Sequence, residues 1–466
     1  MRVIEPATEE VLADIPDASL DDADRAVERA KAAFPAWRAV TPGDRARLMR
    51  RFATIVGDNV ERLAQLEARN VGKPISDARG EVGMVADVFH YYAGAPERLL
   101  GNTIPVAGGV DMTFREPLGV VALIVPWNFP IAITSWKLGP ALAAGNTVVI
   151  KPAGLTPLTA IELGKLALEC GIPEGVVNVV VGSGRTVGER LVQHPDVAKV
   201  AFTGSTEVGR RIGALAADSI KRVTLELGGK SANIVFADAD IEKAAASAPL
   251  AVFGNAGQDC CARSRILVER SAVDGFMHAL EKSVKALRVG DPLDEKTEMG
   301  PLISADHRSK VAAFLEDGAT VAIRGSAPSG RGYWFAPTVL SPVDPGDRVA
   351  REEIFGPIVA VIPFEDEADA VTIANDTMYG LSGSVWTSNA ARAMRVARAL
   401  ETGTISINSA IVMSGRSIIA IAASITSPRL CGGMFVAIPT AMPPPPLTSR
   451  FGKRAGRTEG SVNSAE

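Results

Sequence analysis

The residues Gly254-Asn255-Ala256-Gly257-Gln258-Asp259-Cys260-Cys261-Ala262-Arg263-Ser264-Arg265 set a thiol among small side chains, just before the apolar run Ile266-Leu267-Val268. The chemistry open to such a thiol is nucleophilic attack on a carbonyl. Two glycines and an alanine ahead of Cys260 leave room for a substrate to approach, and a following strand would hold the backbone still. Adjacent cysteines in a chain with only four also read as small buried apolar residues. The thiol therefore needs a chemical partner elsewhere. Val223-Thr224-Leu225-Glu226-Leu227-Gly228-Gly229-Lys230-Ser231 offers one, a carboxylate in an apolar strand that ends in paired glycines. Desolvation between Leu225 and Leu227 should raise the Glu226 carboxyl toward the range of a general base.

Together the two stretches resemble the signature segments of the aldehyde dehydrogenase superfamily, an E-L-G-G-K-type stretch followed by a G-Q-x-C-type stretch at about this separation. The resemblance runs from near the N-terminus to about Asn408. It implies oxidation of an aldehyde to a carboxylic acid with NAD(P)+, through a thiohemiacetal and then a thioester on cysteine. The family places its nucleophile directly after G-Q-x, which selects Cys260 over Cys261. Two alternatives stand beside this reading. In a CoA-acylating relative a thiol rather than water resolves the thioester, and a catalytically silent relative keeps the fold as a binding or structural protein.

Further motifs join the pattern. Pro126-Trp127-Asn128-Phe129-Pro130 resembles the family's P-W-N-F-P element; its two prolines fix the backbone, so the Asn128 amide can face a developing oxyanion. Asn128 also reads as a cap for the next helix. Phe202-Thr203-Gly204-Ser205-Thr206 is a strand that runs into a glycine turn and a helix start, where free amides and the Ser205 hydroxyl suit a pyrophosphate. Gly182-Ser183-Gly184 is a weaker phosphate candidate. By resemblance, Lys151 binds the adenosine ribose, Glu353 in Glu352-Glu353-Ile354-Phe355-Gly356-Pro357 holds the nicotinamide ribose, and Phe355 lies against the ring. A buried turn with a packed phenylalanine explains the last motif as well. Pro126, Trp127, Gly204 and Leu227 complete the expected cofactor contacts. Gly154 stands where many NAD-preferring members carry an acid, which removes one obstacle to a 2′-phosphate. The cofactor reading is NAD, with NADP as an alternative. Lys137 reads as a solvated helix-surface lysine outside the catalytic set, and His90 as a packed or surface side chain.

The elements that must position these residues follow from periodicity. Amphipathic helices are expected over Leu20–Trp37, Pro42–Val56, Asn59–Asn70 and Ile75–Leu99. Ile104, Val106, Val110, Met112 and Phe114 alternate around Gly108-Gly109, which predicts a hairpin; by resemblance it joins subunits. Short β-branched runs at Val120–Val125, Thr147–Ile150, Val176–Val181 and Val200–Phe202 are separated by helical segments, so a parallel sheet with helices on both faces is expected. A second α/β region holds strands near Ile266–Val268, Val359–Ile362 and Gly403–Asn408. The fold class is α/β: a Rossmann-like cofactor domain (1–98 and 118–228), an oligomerisation hairpin (99–117) and a catalytic domain (229–408).

Composition narrows the partners. The 466 residues are 47% hydrophobic and 22% charged, with a net charge of -4. That balance gives no electrostatic case for nucleic acid or an anionic membrane, so a small-molecule aldehyde is the expected partner. Cys170, Cys260, Cys261 and Cys431 show no C-x-x-C spacing, so neither a metal site nor a disulfide framework is indicated. A cytoplasmic setting fits. After Asn408 the pattern breaks. Residues 409–466 hold the apolar Ser417–Ile425 stretch, four prolines from Pro443 to Pro446 and a basic ending, and they carry +4 against -8 for the remainder. This atypical tail reads as disordered or as the product of a shifted reading frame. A homodimer or homotetramer is expected if the tail permits.

Overall fold

The computed structural model describes residues 1–409, apart from 317 and 319, together with 435–437. The predicted α/β architecture is present as two sheets. The first has five strands in the order Val177–Val179, Thr147–Lys151, Val120–Ile124, Val197–Thr203, Arg222–Glu226. All neighbours are parallel. From the central Val120–Ile124 strand the chain moves outward on one side, then crosses to the other at Val197. The order therefore reverses beside Val120–Ile124, and ligands of open α/β sheets sit off the carboxyl ends of strands at such a point. Pairing aligns Ile124 with Lys151 and with Phe202, and Thr203 with Glu226. Register alone thus brings Lys151 and Glu226 to one edge.

Behind that edge lies the helix Pro130–Ala143. Proline at its first position suits a helix start, where no N–H is needed. Every residue of it except Trp136 is buried, because it packs between the sheet and the helix Ile75–Ala93 as part of one apolar cluster. The Ile75 helix ends at Ala93 rather than at Leu99; Gly94 follows, and then a short 3-10 turn at Pro96–Arg98.

The second sheet has eight strands in the order Val321–Arg324, Thr338–Leu340, Ile358–Phe364, Arg265–Glu269, Ala232–Val235, Ser382–Trp386, Thr404–Ile407, Phe435–Ala437. Its first pair is antiparallel and the other pairs are parallel. Ala232–Val235 and Ser382–Trp386 are buried along their whole length, as strands covered on both faces must be.

Three features depart from the sequence reading. Arg2–Glu5 and Glu10–Asp14 form an unforeseen antiparallel pair, and the turn between them bonds to the other lobe through Tyr333 N–H to the Pro6 carbonyl and Gly332 N–H to Glu9. Of the helical segments expected between the strands, the one between Val179 and Val197 opens as a π-type turn at Gly184–Gly188 before the short helix Glu189–Gln193. Phe435–Ala437 adds a parallel strand beside Thr404–Ile407 inside the atypical tail; the rest of the tail beyond Ser409 lies outside the described residues. The expected hairpin is present, Thr103–Val106 against Gly109–Met112, with all eight residues exposed. Among the described residues no helix is long and apolar enough to cross a membrane.

Candidate active site

The thiol loop starts where the helix Ile241–Phe253 ends and stops where the strand Arg265–Glu269 begins. Between them Asn255 and Ala256 adopt positive φ of 50° and 56°, a conformation that disfavours side chains with a Cβ. Buried amides hold the loop in it. Gln258 Nε2 donates to the Asn255 carbonyl at 3.0 Å, and Ile303 N–H donates to Gln258 Oε1 at 2.8 Å.

Asn128, 3% exposed, bridges the first sheet to this loop. Its Nδ2 donates to the Gln258 carbonyl at 2.9 Å, and Asn255 Nδ2 donates to the Asn128 carbonyl at 3.0 Å. One amide hydrogen of Asn128 is committed to the loop two residues before Cys260; the other has no partner among the described residues.

The strand that carries Glu226 ends in paired glycines that lie against the thiol loop and Glu353. A Cβ on Gly229 would sit 2.0 Å from the Cys260 carbonyl oxygen, and one on Gly228 would sit 2.3 Å from a Glu353 carboxylate oxygen. At Gly229 the obstacle is backbone, so no side chain fits there, and the chain after Glu226 lies directly against the thiol loop; at Gly228 the obstacle is the tip of the Glu353 side chain. Gly229 N–H donates to Glu353 Oε1 at 2.9 Å.

Burial sets the protonation of the cluster. It pushes the Glu226 carboxyl up, against the pull of the Lys137 charge. A hydrogen bond with the Cys261 side chain, followed by desolvation, pushes the Cys260 thiol well above its usual range, and the Asp259 and Glu353 charges add to this. The ligand atoms of Asp259, Cys260 and Cys261 all lie within 4.8 Å of one another. Cys260 is thus a neutral thiol in this arrangement, and its conversion to a nucleophile needs a nearby proton acceptor.

Lys137 corrects the sequence reading. It is 2% exposed rather than solvated. Its ammonium has no hydrogen-bond partner among the described residues; burial lowers it to about 8, while the Glu226 charge raises it.

The aldehyde dehydrogenase family model matches residues 1–419. The chain belongs to the aldehyde dehydrogenase family. It is an NAD(P)-dependent oxidoreductase that converts an aldehyde to a carboxylic acid. It is 43% identical over 424 residues to phenylacetaldehyde dehydrogenase of Pseudomonas fluorescens, covering 88% of this chain and 84% of that one. PnpE of Pseudomonas sp. WBC-3, in complex with nicotinamide adenine dinucleotide, superposes with a TM-score of 0.87 at 46% identity, over 89% of this chain and 87% of that one. Betaine aldehyde dehydrogenase of Staphylococcus aureus, in complex with NAD+, gives 0.86 at 39% identity, over 88% of this chain and 83% of that one.

An aldehyde dehydrogenase must hold a dinucleotide, and the residues at the sheet edge fit one. Ser205 caps the helix Thr206–Ala217, its Oγ accepting from Val208 N–H at 3.4 Å, so the other amides of the first turn and the hydroxyl proton are available to phosphate. The Gly204 N–H is already committed to the Glu226 carbonyl at 3.1 Å, so it is not available as a donor to a ligand. Thr203 Oγ1, beside Glu226, is buried and has no hydrogen-bond partner among the described residues. Lys151 is 5% exposed, donates to the Pro152 carbonyl at 2.9 Å and is lowered by burial to about 8. Glu353 is raised by desolvation. Leu227 packs against the helix that Ser205 caps, close to Gly209.

Pro126 follows the central strand and delivers Trp127 to an aromatic group at the joint between the sheets. The rings of Trp127 and Phe355 meet edge-on at 5.3 Å, with the His307 ring 5.3 Å from Trp127. Phe355 has a positive φ of 56°, and its carbonyl accepts from His307 Nε2 at 2.7 Å. His307 carries no sequence signal; it is an isolated histidine in a helix that begins two residues earlier, and only the packing brings it here.

Proposed function

We propose that Cys260 is the nucleophile, Asn128 the oxyanion donor and Glu226 the general base of aldehyde oxidation. The observation that carries this reading is the buried 2.9 Å hydrogen bond from Asn128 to the Gln258 carbonyl, which fixes a side-chain amide on the thiol loop.

The Cys260 sulfur bonds to the aldehyde carbon, and its proton passes to the Glu226 carboxylate. The free Asn128 N–H and the Cys260 backbone N–H hold the resulting oxyanion; such a donor contributes about 3 kcal/mol to a transition state. When bound, NAD supplies the hydride acceptor that turns the Cys260 adduct into a thioester. Glu226, having released the thiol proton to solvent, then takes a proton from water. The hydroxide formed attacks the thioester carbon, the acid leaves, and Cys260 recovers its proton.

Ser205 and the first turn of its helix hold the pyrophosphate. Lys151 holds the adenosine ribose, Glu353 the nicotinamide ribose, and Trp127 with Phe355 walls the ring, with Pro126, Gly204 and Leu227 shaping the path between them. NAD is the cofactor, as in the complexes of the similar PnpE and betaine aldehyde dehydrogenase. Gly154 leaves NADP open as an alternative.

The exposed hairpin also supports a homo-oligomer. Ile104, Val106, Val110, Met112 and Phe114 stand open, Phe114 at 74% exposure. A two-stranded ribbon is marginal alone in water, and an apolar one gains by packing on a second copy. A cytoplasmic location remains part of this proposal.

Cys260→Ala tests the assignment. NADH formation from a panel of aldehydes should vanish while NAD binding, followed by calorimetry, persists. Turnover near that of the parent would overturn the role of Cys260. Acid formation without added CoA separates hydrolysis from acyl transfer to a thiol.

A further inference from the structure

Lys73 has no part in the chemistry above, although it is 1% exposed. The loop that carries it joins the helices Val60–Val71 and Ile75–Ala93 and touches the other lobe, where Ile75 N–H donates to the Pro292 carbonyl at 2.8 Å. Its ammonium pairs with the carboxylates of Glu67, at 3.7 Å, and of Glu81, and it stands 4.3 Å from the centre of the Phe129 ring. Both glutamates are buried. Burial pushes the Glu67 carboxyl up, and the Lys73 charge pulls it back. Asp77 and, on the thiol loop, Asp259 feel the same charge. Apolar side chains of similar volume often serve a fold as well as a buried ion group does, so stability alone does not account for this one.

Its contacts do. The helix Pro130–Ala143 lacks a cap of its own: Phe129 occupies the cap position without a polar side chain, Pro130 has no N–H, and the Ile131 N–H has no acceptor within the helix. Glu67 supplies an acceptor from a different helix, at a long 3.5 Å from the Ile131 nitrogen, and is itself fixed by the Thr159 hydroxyl at 2.8 Å. A carboxylate at that end also suits the helix dipole. Lys73 holds the neighbouring Phe129 by its ring, an attraction that strengthens where water is excluded. The residues on both sides of Pro130 are thereby gripped, and Asn128 comes directly before them.

We propose that Lys73, acting with Glu67, is a positioning residue for Asn128: it sets the turn from Phe129 into the helix and so keeps the Asn128 amide on the thiol loop, where it donates to the Gln258 carbonyl at 2.9 Å. Lys73 touches no reacting atom. Its effect rests on the oxyanion role given to Asn128 above, because a donor displaced by a fraction of an ångström loses transition-state binding while cofactor binding persists.

Lys73→Met keeps the length of the side chain and removes its charge. In the full-length enzyme kcat should fall about tenfold, with the KM for NAD within about twofold of the parent. Phe129→Leu removes the ring and leaves the buried charges paired, which guards against a folding defect; its kcat should fall about threefold. Each change is also combined with Asn128→Ala. Since Lys73 and Phe129 act through Asn128, the double variants should be no slower than Asn128→Ala alone, within about twofold. A merely structural role would multiply the two losses instead. Parent-like kcat in either folded single variant, or losses that multiply in the double variants, would overturn the proposal. An Asn128→Ala enzyme as fast as the parent would remove the oxyanion role itself.

Discussion

Replacing Lys137 with methionine should stabilise the protein and slow it at mildly acidic pH. The ammonium is buried, unpartnered among the described residues, and lowered from 10.5 to about 8 chiefly by burial. A lysine depressed by that much destabilises the folded state by about 3 kcal/mol while it is charged, since one pKa unit corresponds to about 1.4 kcal/mol. The sign follows from linkage. The cost is fully present below the folded value of about 8 and disappears above 10.5, so it acts at neutral pH. Methionine has a similar shape and no charge, so Lys137→Met should gain about 1 to 3 kcal/mol at pH 7, and the gain should fade as pH approaches that of a free lysine.

The same change removes the charge that holds Glu226 down. Glu226 acts as a base only when ionised, so the acidic limb of the kcat profile should move to higher pH. Chemical denaturation at pH 7 and pH 10 reads the stability effect, and kcat measured from about pH 5 to about pH 9 reads the shift of the acidic limb. A variant that is less stable at pH 7 and whose acidic limb stays in place would refute the reasoning.

Two further substitutions test the geometry. Asn128→Ala should lower kcat about a hundredfold with little change in the KM for NAD, because it removes a transition-state donor worth about 3 kcal/mol; melting should fall only slightly, and a kcat within about threefold of the parent would exclude the oxyanion role. Gly229→Ala drives a Cβ to 2.0 Å from the Cys260 carbonyl; loss of turnover with an altered reaction of Cys260 toward iodoacetamide is expected, and an active variant would show that the two lobes are not pressed together there.

The sheet and the main chemical groups were legible because each carries a local signal. Val120–Ile124 and Thr147–Lys151 are β-branched runs with helices between them, and Gly228-Gly229 is a visible strand end. Lys137 was misread because its signal is tertiary. A tryptophan and a lysine side by side resemble a helix surface, and only packing of the Pro130–Ala143 helix against neighbours on several sides buries the lysine. His307 and the positive φ of Phe355 were not legible for a similar reason. Nothing in the residues around them encodes a contact that closes over more than a hundred positions of chain. The N-terminal pair of strands was missed because its turn is secured by Gly332 and Tyr333, far along the sequence.

The electrostatics of the cluster constrain how the proposed reaction starts. Burial raises Glu226, and the hydrogen bond with Cys261 together with burial raises Cys260, so each alone shifts toward its neutral form. Creating a thiolate by losing a proton to bulk water would add a negative charge to a site that already holds Glu353 and Asp259 close to the sulfur. Passing the proton from Cys260 to an ionised Glu226 instead moves one negative charge across the site and leaves the total unchanged. The low dielectric that penalises a new charge is indifferent to this exchange to first order. Lys137 then has a physical reason to be buried without a hydrogen-bond partner among the described residues: its charge pulls the Glu226 carboxyl back toward the ionised form, and the stability it costs the fold is the counterpart of a better base.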